Sequence, residues 1–69
     1  MEKAVIKVDG MSCEHCVKTI TKAVGALPGI AAVAVDLNAK TVTVDHDPGK
    51  TALEQIRLEI EDQGYDVVG

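Results

Sequence analysis

Two cysteines three residues apart, in the string Cys13-Glu14-His15-Cys16, are the residues of this chain best placed to do chemistry. They stand where a strand-like alternation gives way to a helical pattern, so the thiols meet the unpaired N–H groups of a helix start. Those amides and the helix dipole favour thiolate and lower a cysteine pKa below its reference of about 8.5. An i, i+3 pair on the side that continues into Val17 and Ile20 lets both sulfurs converge on one ion while the core shields one flank. Cys16 is expected to be the more buried thiol and Cys13 the more exposed. Two soft thiolates with no evident third ligand suit Cu(I), which accepts low coordination, far better than Zn(II), whose structural sites are closed by four ligands. His15, two residues after Cys13, is expected to point away from both sulfurs and to sit on the helix surface, tuning local charge. His46, at a strand end, is expected on the surface as well.

Two other readings of the cysteine pair compete with metal binding. Free cysteines also serve as small buried apolar residues, but a C-x-x-C opening a helix just after a turn is placed for exposure. A redox dithiol shares the same spacing. Its usual context is missing: no aromatic precedes Cys13, no proline lies between the cysteines, and the order of elements differs. Met11 offers a thioether two residues before Cys13, yet a loop methionine of this kind is better read as a plug for the end of the core. Tyr65 either returns near the cysteine loop, where its hydroxyl screens or hydrogen-bonds a thiolate, or packs as the lone aromatic.

The elements that must position these residues follow from the patterning. Lys3 to Val8 alternates, with Ala4, Ile6 and Val8 on one face, as a half-buried strand does. After the turn Asp9-Gly10-Met11-Ser12, Ser12 can cap a helix with the apolar stripe Val17, Ile20, Val24 and Leu27, ending before Pro28-Gly29. Ile30 to Leu37, with Val33, Val35 and Leu37 inward, turns at Asn38-Ala39-Lys40 into Thr41 to Asp45, giving a hairpin. Thr51-Ala52-Leu53-Glu54 has a capping-box pattern, Leu53, Ile56 and Ile60 follow at helical spacing, and Gly64 ends that helix. Leu58 falls off the stripe. Tyr65 to Val68 supplies a last short strand. The order strand, helix, strand, strand, helix, strand predicts an α+β, ferredoxin-like βαββαβ sandwich, with a four-stranded antiparallel sheet and two helices on one face.

Composition bounds the rest. Sixty-nine residues make one domain, 1–69, too small for a large catalytic cleft. With no Trp or Phe, the core must come from Val, Ile, Leu and Ala, and aromatic stacking on bases is excluded. Eleven acidic against seven basic residues give a net charge of −4, the wrong sign for nucleic acid or an anionic membrane. No run reaches the roughly 18 apolar residues of a membrane span. The N-terminus has no signal-peptide apolar stretch, which sets the expectation of a cytoplasmic protein. The cysteines are too close together to staple a large loop, and a reducing cytosol would not keep them bridged.

The segment Gly10-Met11-Ser12-Cys13-Glu14-His15-Cys16 strongly resembles the G-M-x-C-x-x-C motif of the heavy-metal-associated domain family. The likeness extends over essentially the whole chain, through the Ala and Val residues after Gly29, the capped second helix and the closing Glu61-Asp62-Gln63-Gly64-Tyr65-Asp66-Val67, which is similar to the end of the family's bacterial copper chaperones. The resemblance implies the βαββαβ fold, Cys13 and Cys16 as Cu(I) ligands, Met11 as a buried loop anchor and Tyr65 as a neighbour of the metal. Family members for zinc and cadmium typically carry Asp directly before the first cysteine; Ser12 stands there in this chain, which favours copper. The resemblance further implies a non-enzymatic carrier whose partner is the cytosolic metal-binding domain of a copper-transporting P-type ATPase, with a copper-bridged homodimer as a second association. The alternatives it leaves are a module of such an ATPase and a periplasmic mercury-binding protein. A start two residues ahead of the first strand favours the free chaperone, and the lack of a leader speaks against the mercury protein. Lys18 and Lys22, one helical turn apart, form a positive patch able to steer an acidic partner, or else an ordinary solvated helix face.

Overall fold

The computed structural model describes residues 1–11 and 14–68. Its elements are β1 (Glu2–Asp9), α1 (Glu14–Gly25), β2 (Ile30–Asp36), β3 (Thr41–His46), α2 (Leu53–Asp62) and β4 (Asp66–Val67). The four strands form one antiparallel sheet in the order β2-β3-β1-β4. This is the expected ferredoxin-like arrangement.

Period-2 alternation decides which side chains the sheet gives to the core. Ile6 and Val8 of β1 and Val42 and Val44 of β3 point inward and are fully buried, facing Ile20 and Val24 of α1 and Ile56 and Ile60 of α2. Each such burial contributes about 1.5–3 kcal/mol, so these eight aliphatic side chains hold the layers together. Val33 and Val35 pack on the rim of that cluster, half-buried because β2 is an edge strand, and Leu37 joins them from the turn that follows.

Several expectations need correction. His46 was expected on the surface and is 2% exposed. The alternation of β3 runs one residue past Asp45, so His46 falls on the inward face with Val42 and Val44. Thr51 was expected to cap α2, but the N-cap is Ala52, whose N–H donates to Gln55 Oε1 at 3.1 Å. Thr51 is buried instead; its hydroxyl donates to the Pro28 carbonyl. With Thr51 turned inward ahead of Ile56, Leu53 is left 38% exposed rather than in the core. In α1 the buried stripe is Cys16, Ile20 and Val24, with Val17 and Leu27 half-buried beside it. The last strand is two residues long, not four. Ser12 as a helix cap lies outside the described residues.

The turns follow from local chemistry. Asp36 Oδ1 accepts the Asn38 and Ala39 N–H groups at 2.9 and 3.1 Å, and Lys40 takes a positive φ of 56° to bring the chain into β3. Gly64, at φ 96°, ends α2 in the backbone region that a Cβ disfavours.

Candidate metal site

Where β1 ends, Gly10 turns the chain at a φ of 94° and directs it into the core rather than along the sheet. The next residue, Met11, is 8% exposed and belongs to the central hydrophobic cluster. Three residues into α1, Cys16 is also a buried member of that cluster. The helix start that carries Cys16 therefore abuts the core on one side. Cys13 and Ser12 lie outside the described residues, so the relative exposure of the two thiols is not part of the geometry.

Tyr65 reaches this loop from the far end of the chain. The β1–β4 register pairs Val8 with Val67 and Asp9 with Asp66, which sets Tyr65 across from Gly10. A Cβ placed on Gly10 would lie 3.7 Å from Tyr65 Cδ1, ordinary van der Waals contact. The half-buried ring thus lines the loop while packing against the core. On the outer face of the same ladder, Asp9 and Asp66 are exposed and directly opposite one another.

His15 is exposed, and its carbonyl accepts the Thr19 hydroxyl at 2.9 Å. His46 sits at the other end of the sheet. It pairs with Glu2 at the start of β1, whereas the cysteine loop follows Asp9 at its end, about 23 Å along the strand. That separation removes His46 from the ligand set. Among the described residues, no three His, Cys, Asp or Glu side chains converge. Lys18 and Lys22 are both exposed on α1. Lys22 also lines a groove between the helices together with Ala23 and Ala26, Glu59 of α2 and Gln63 just after it.

Sequence reasoning missed the arrangement around His46. Its Nδ1 lies 2.9 Å from the Thr51 carbonyl, while the Asp47 N–H donates to the Gly29 carbonyl at 2.8 Å. Extending the period-2 count of β3 by one residue would have found the buried histidine. The partner across the loop had no sequence signal. Among the described residues, no buried side-chain nitrogen or oxygen lacks a hydrogen-bond partner, and no helix is long and apolar enough to cross a membrane.

Comparison with known proteins places this geometry. A family model described as "Heavy-metal-associated domain" matches residues 5–66. The chain is 49% identical to the copper chaperone CopZ of Bacillus subtilis over 67 residues, 97% of each protein. Among solved structures, a CopZ metallochaperone superposes with a TM-score of 0.95 at 39% identity, covering 97% of this chain and all of the other. The N-terminal domain of a potential copper-translocating P-type ATPase from Bacillus subtilis, solved in the Cu(I)-loaded state, superposes with a TM-score of 0.90 at 28% identity over 94% of this chain and 81% of that one.

Proposed function

Because this chain belongs to the heavy-metal-associated domain family, we propose that it is a copper chaperone: Cys13 and Cys16 hold one Cu(I) ion and pass it to the cytosolic metal-binding domain of a copper-transporting P-type ATPase. The observation that carries this reading is the seat of Cys16, in the first turn of α1 and buried in the same hydrophobic cluster as Met11, with Tyr65 close to Gly10. One thiolate is held firmly by the core. Cys13 is the ligand an incoming thiol replaces.

Ligand exchange proceeds through Cys13 first, the thiol expected from the sequence to be the more exposed. A partner thiolate adds to the two-coordinate ion, the bond to Cys13 breaks from the three-coordinate intermediate, and a second partner thiolate then displaces Cys16. Copper stays Cu(I) throughout, and each departing thiolate is free to take up a proton, so no oxidant or reductant enters. Relatives that resemble both donor and acceptor support the scheme, since a copper chaperone and a Cu(I)-loaded ATPase domain share this fold. Nearly equal ligand sets on both sides make transfer close to isoenergetic. A second copy of the chain is an equivalent acceptor, which gives the copper-bridged homodimer.

Met11, enclosed by the core, anchors the loop rather than ligating. Tyr65 shields the site; in the sequence Ser12 directly precedes Cys13 and His15 lies between the two cysteines. Lys18 and Lys22 steer the acidic partner. The site of action is the cytoplasm, and no reaction is catalysed. The deciding experiment is anaerobic titration of the reduced protein with Cu(I), Zn(II) and Hg(II) in competition. Cys13→Ser and Cys16→Ser should each abolish tight Cu(I) binding while the far-UV circular dichroism is kept; retained affinity in either variant places the metal elsewhere.

A further inference from the structure

A backbone outlier stands at the pole of the cysteine loop. The register pairs Asp36 with Thr41, so the turn between β2 and β3 is residues 37–40, and its last position must be left-handed to bring the chain back into the ladder. Lys40 fills that position at φ 56°, the one non-glycine residue with a positive φ among the described residues. Glycine adopts this conformation freely and asparagine with little cost, whereas the Cβ of any longer side chain crowds the following carbonyl. Nothing in the turn itself calls for a lysine. Strain of this kind gathers at functional sites, where the side chain rather than the backbone is what the position needs.

The turn lies beside the cysteine loop. The Val8 N–H donates to the Lys40 carbonyl at 2.9 Å, and Gly10, where the chain leaves the sheet, comes two residues after Val8, about 7 Å along the strand. Asp36 Oδ1 holds the Asn38 and Ala39 amides from the other side of the turn. The Cα of Lys40 is thereby fixed while the residue as a whole stays exposed.

Charge at this pole is divided by the loop. On the β4 side stand acids: Asp9 opposite Asp66, and Glu61 and Asp62 at the end of α2, which packs on β4. On the other side, where α1 packs over β2, Lys7, Lys18 and Lys40 stand with Glu14 and Asp36. Three cations against two anions leave this side positive by one, and without Lys40 it would be neutral. Lys22 adds its charge one turn further along α1, away from the loop.

We propose that Lys40 is a docking residue, whose ammonium meets a carboxylate of the acceptor domain and, with Lys18, decides which side of the cysteine loop the acceptor's acidic face takes. The proposal rests on the chaperone reading and adds the polarity of its partner. The acceptor that fits carries its acids toward the β2–β3 turn and not toward Asp9 and Asp66, where like charges would repel.

The test measures Cu(I) transfer by stopped flow from the full, reduced chain to the metal-free N-terminal domain of the potential copper-translocating ATPase of Bacillus subtilis. At about 10 mM ionic strength, where the screening length is about 30 Å, Lys40→Glu should slow transfer by roughly threefold to tenfold; at about 1 M, where it is about 3 Å, by less than about twofold. Cu(I) affinity should not change. Lys50→Glu makes the same change of charge on an exposed residue beside Asp47, at the opposite pole, and should leave the rate within about twofold of the wild type. Lys40→Gly separates the side chain from the backbone: transfer at low salt should slow by roughly twofold or more, while the folding equilibrium constant stays level or rises by up to about fivefold as the φ is relieved. A wild-type rate for Lys40→Glu at low salt, equal slowing by Lys50→Glu, or a Lys40→Gly variant less stable than the wild type would each overturn the proposal. Should Lys40→Glu fail to fold, the transfer rate of Lys40→Gly decides alone. If the chain takes up no Cu(I), it is the chaperone reading that fails, and docking is then read by NMR titration of the metal-free chain with the same domain. Amide shifts at residues 37–41 in the wild type, lost in Lys40→Glu, would uphold the docking role; no shifts there would overturn it.

Discussion

His46 Nδ1 stands 2.9 Å from the carbonyl oxygen of Thr51, and Thr51 in turn donates its hydroxyl to the carbonyl of Pro28. The two bonds tie the end of β3, the entry to α2 and the exit from α1 into one knot at the pole away from the cysteines. Thr51→Val keeps the shape and removes the hydroxyl, leaving a part-buried carbonyl unpaired. It should cost about 1–3 kcal/mol in urea unfolding with an unchanged m-value. Copper affinity, measured by competition, should stay at the wild-type value. A loss of affinity would show that the two poles are coupled.

Met11 separates packing from ligation. Met11→Leu nearly conserves volume and should cost under about 1.5 kcal/mol, while Met11→Ala opens a cavity in the cluster that also holds Cys16 and should cost about 2–5 kcal/mol. Cu(I) affinity should be the same in the leucine variant as in the wild type. A marked fall in affinity at normal stability would make the thioether a ligand.

Copper binding should weaken as pH falls. Protons compete for the sulfur lone pairs that hold the metal, so uptake of Cu(I) releases protons and acid drives the reverse. Competition titrations at several pH values, with proton release followed in weak buffer, check the sign. An affinity that is flat from acid to neutral pH would contradict thiolate ligation.

Asp9 and Asp66 face each other on the outer side of the β1–β4 ladder, a like-charge pair beside the cysteine loop. Asp66→Lys turns it into an attractive cross-strand pair and should raise stability by roughly 0.2–1 kcal/mol, more at low salt. Urea unfolding at two ionic strengths reads this directly. No gain at either would mean that solvent already screens the two carboxylates.

Lys18 and Lys22 are exposed together on α1. Lys18→Glu combined with Lys22→Glu should slow copper transfer to an ATPase metal-binding domain, most at low ionic strength, and leave Cu(I) affinity unaltered. Stopped-flow transfer rates that match the wild type at low salt would take these lysines off the docking surface.

The sequence by itself determined the order of the six elements, because alternation at period 2 and apolar spacing at three and four are local properties of a chain. It likewise determined that Cys16 opens a helix next to a turn, and that Ile20, Val24, Ile56 and Ile60 face inward. Only the tertiary structure decided what depends on partners distant in the chain. Tyr65 meets Gly10 because β4 pairs with the end of β1; Thr51 turns inward because Pro28 and His46 receive it; Leu53 is displaced outward as a result. A hydrogen bond or a contact across the sheet leaves no periodic trace, since its two halves obey separate local patterns. For the same reason the open edge of β2 became visible only once the strand order placed it outermost.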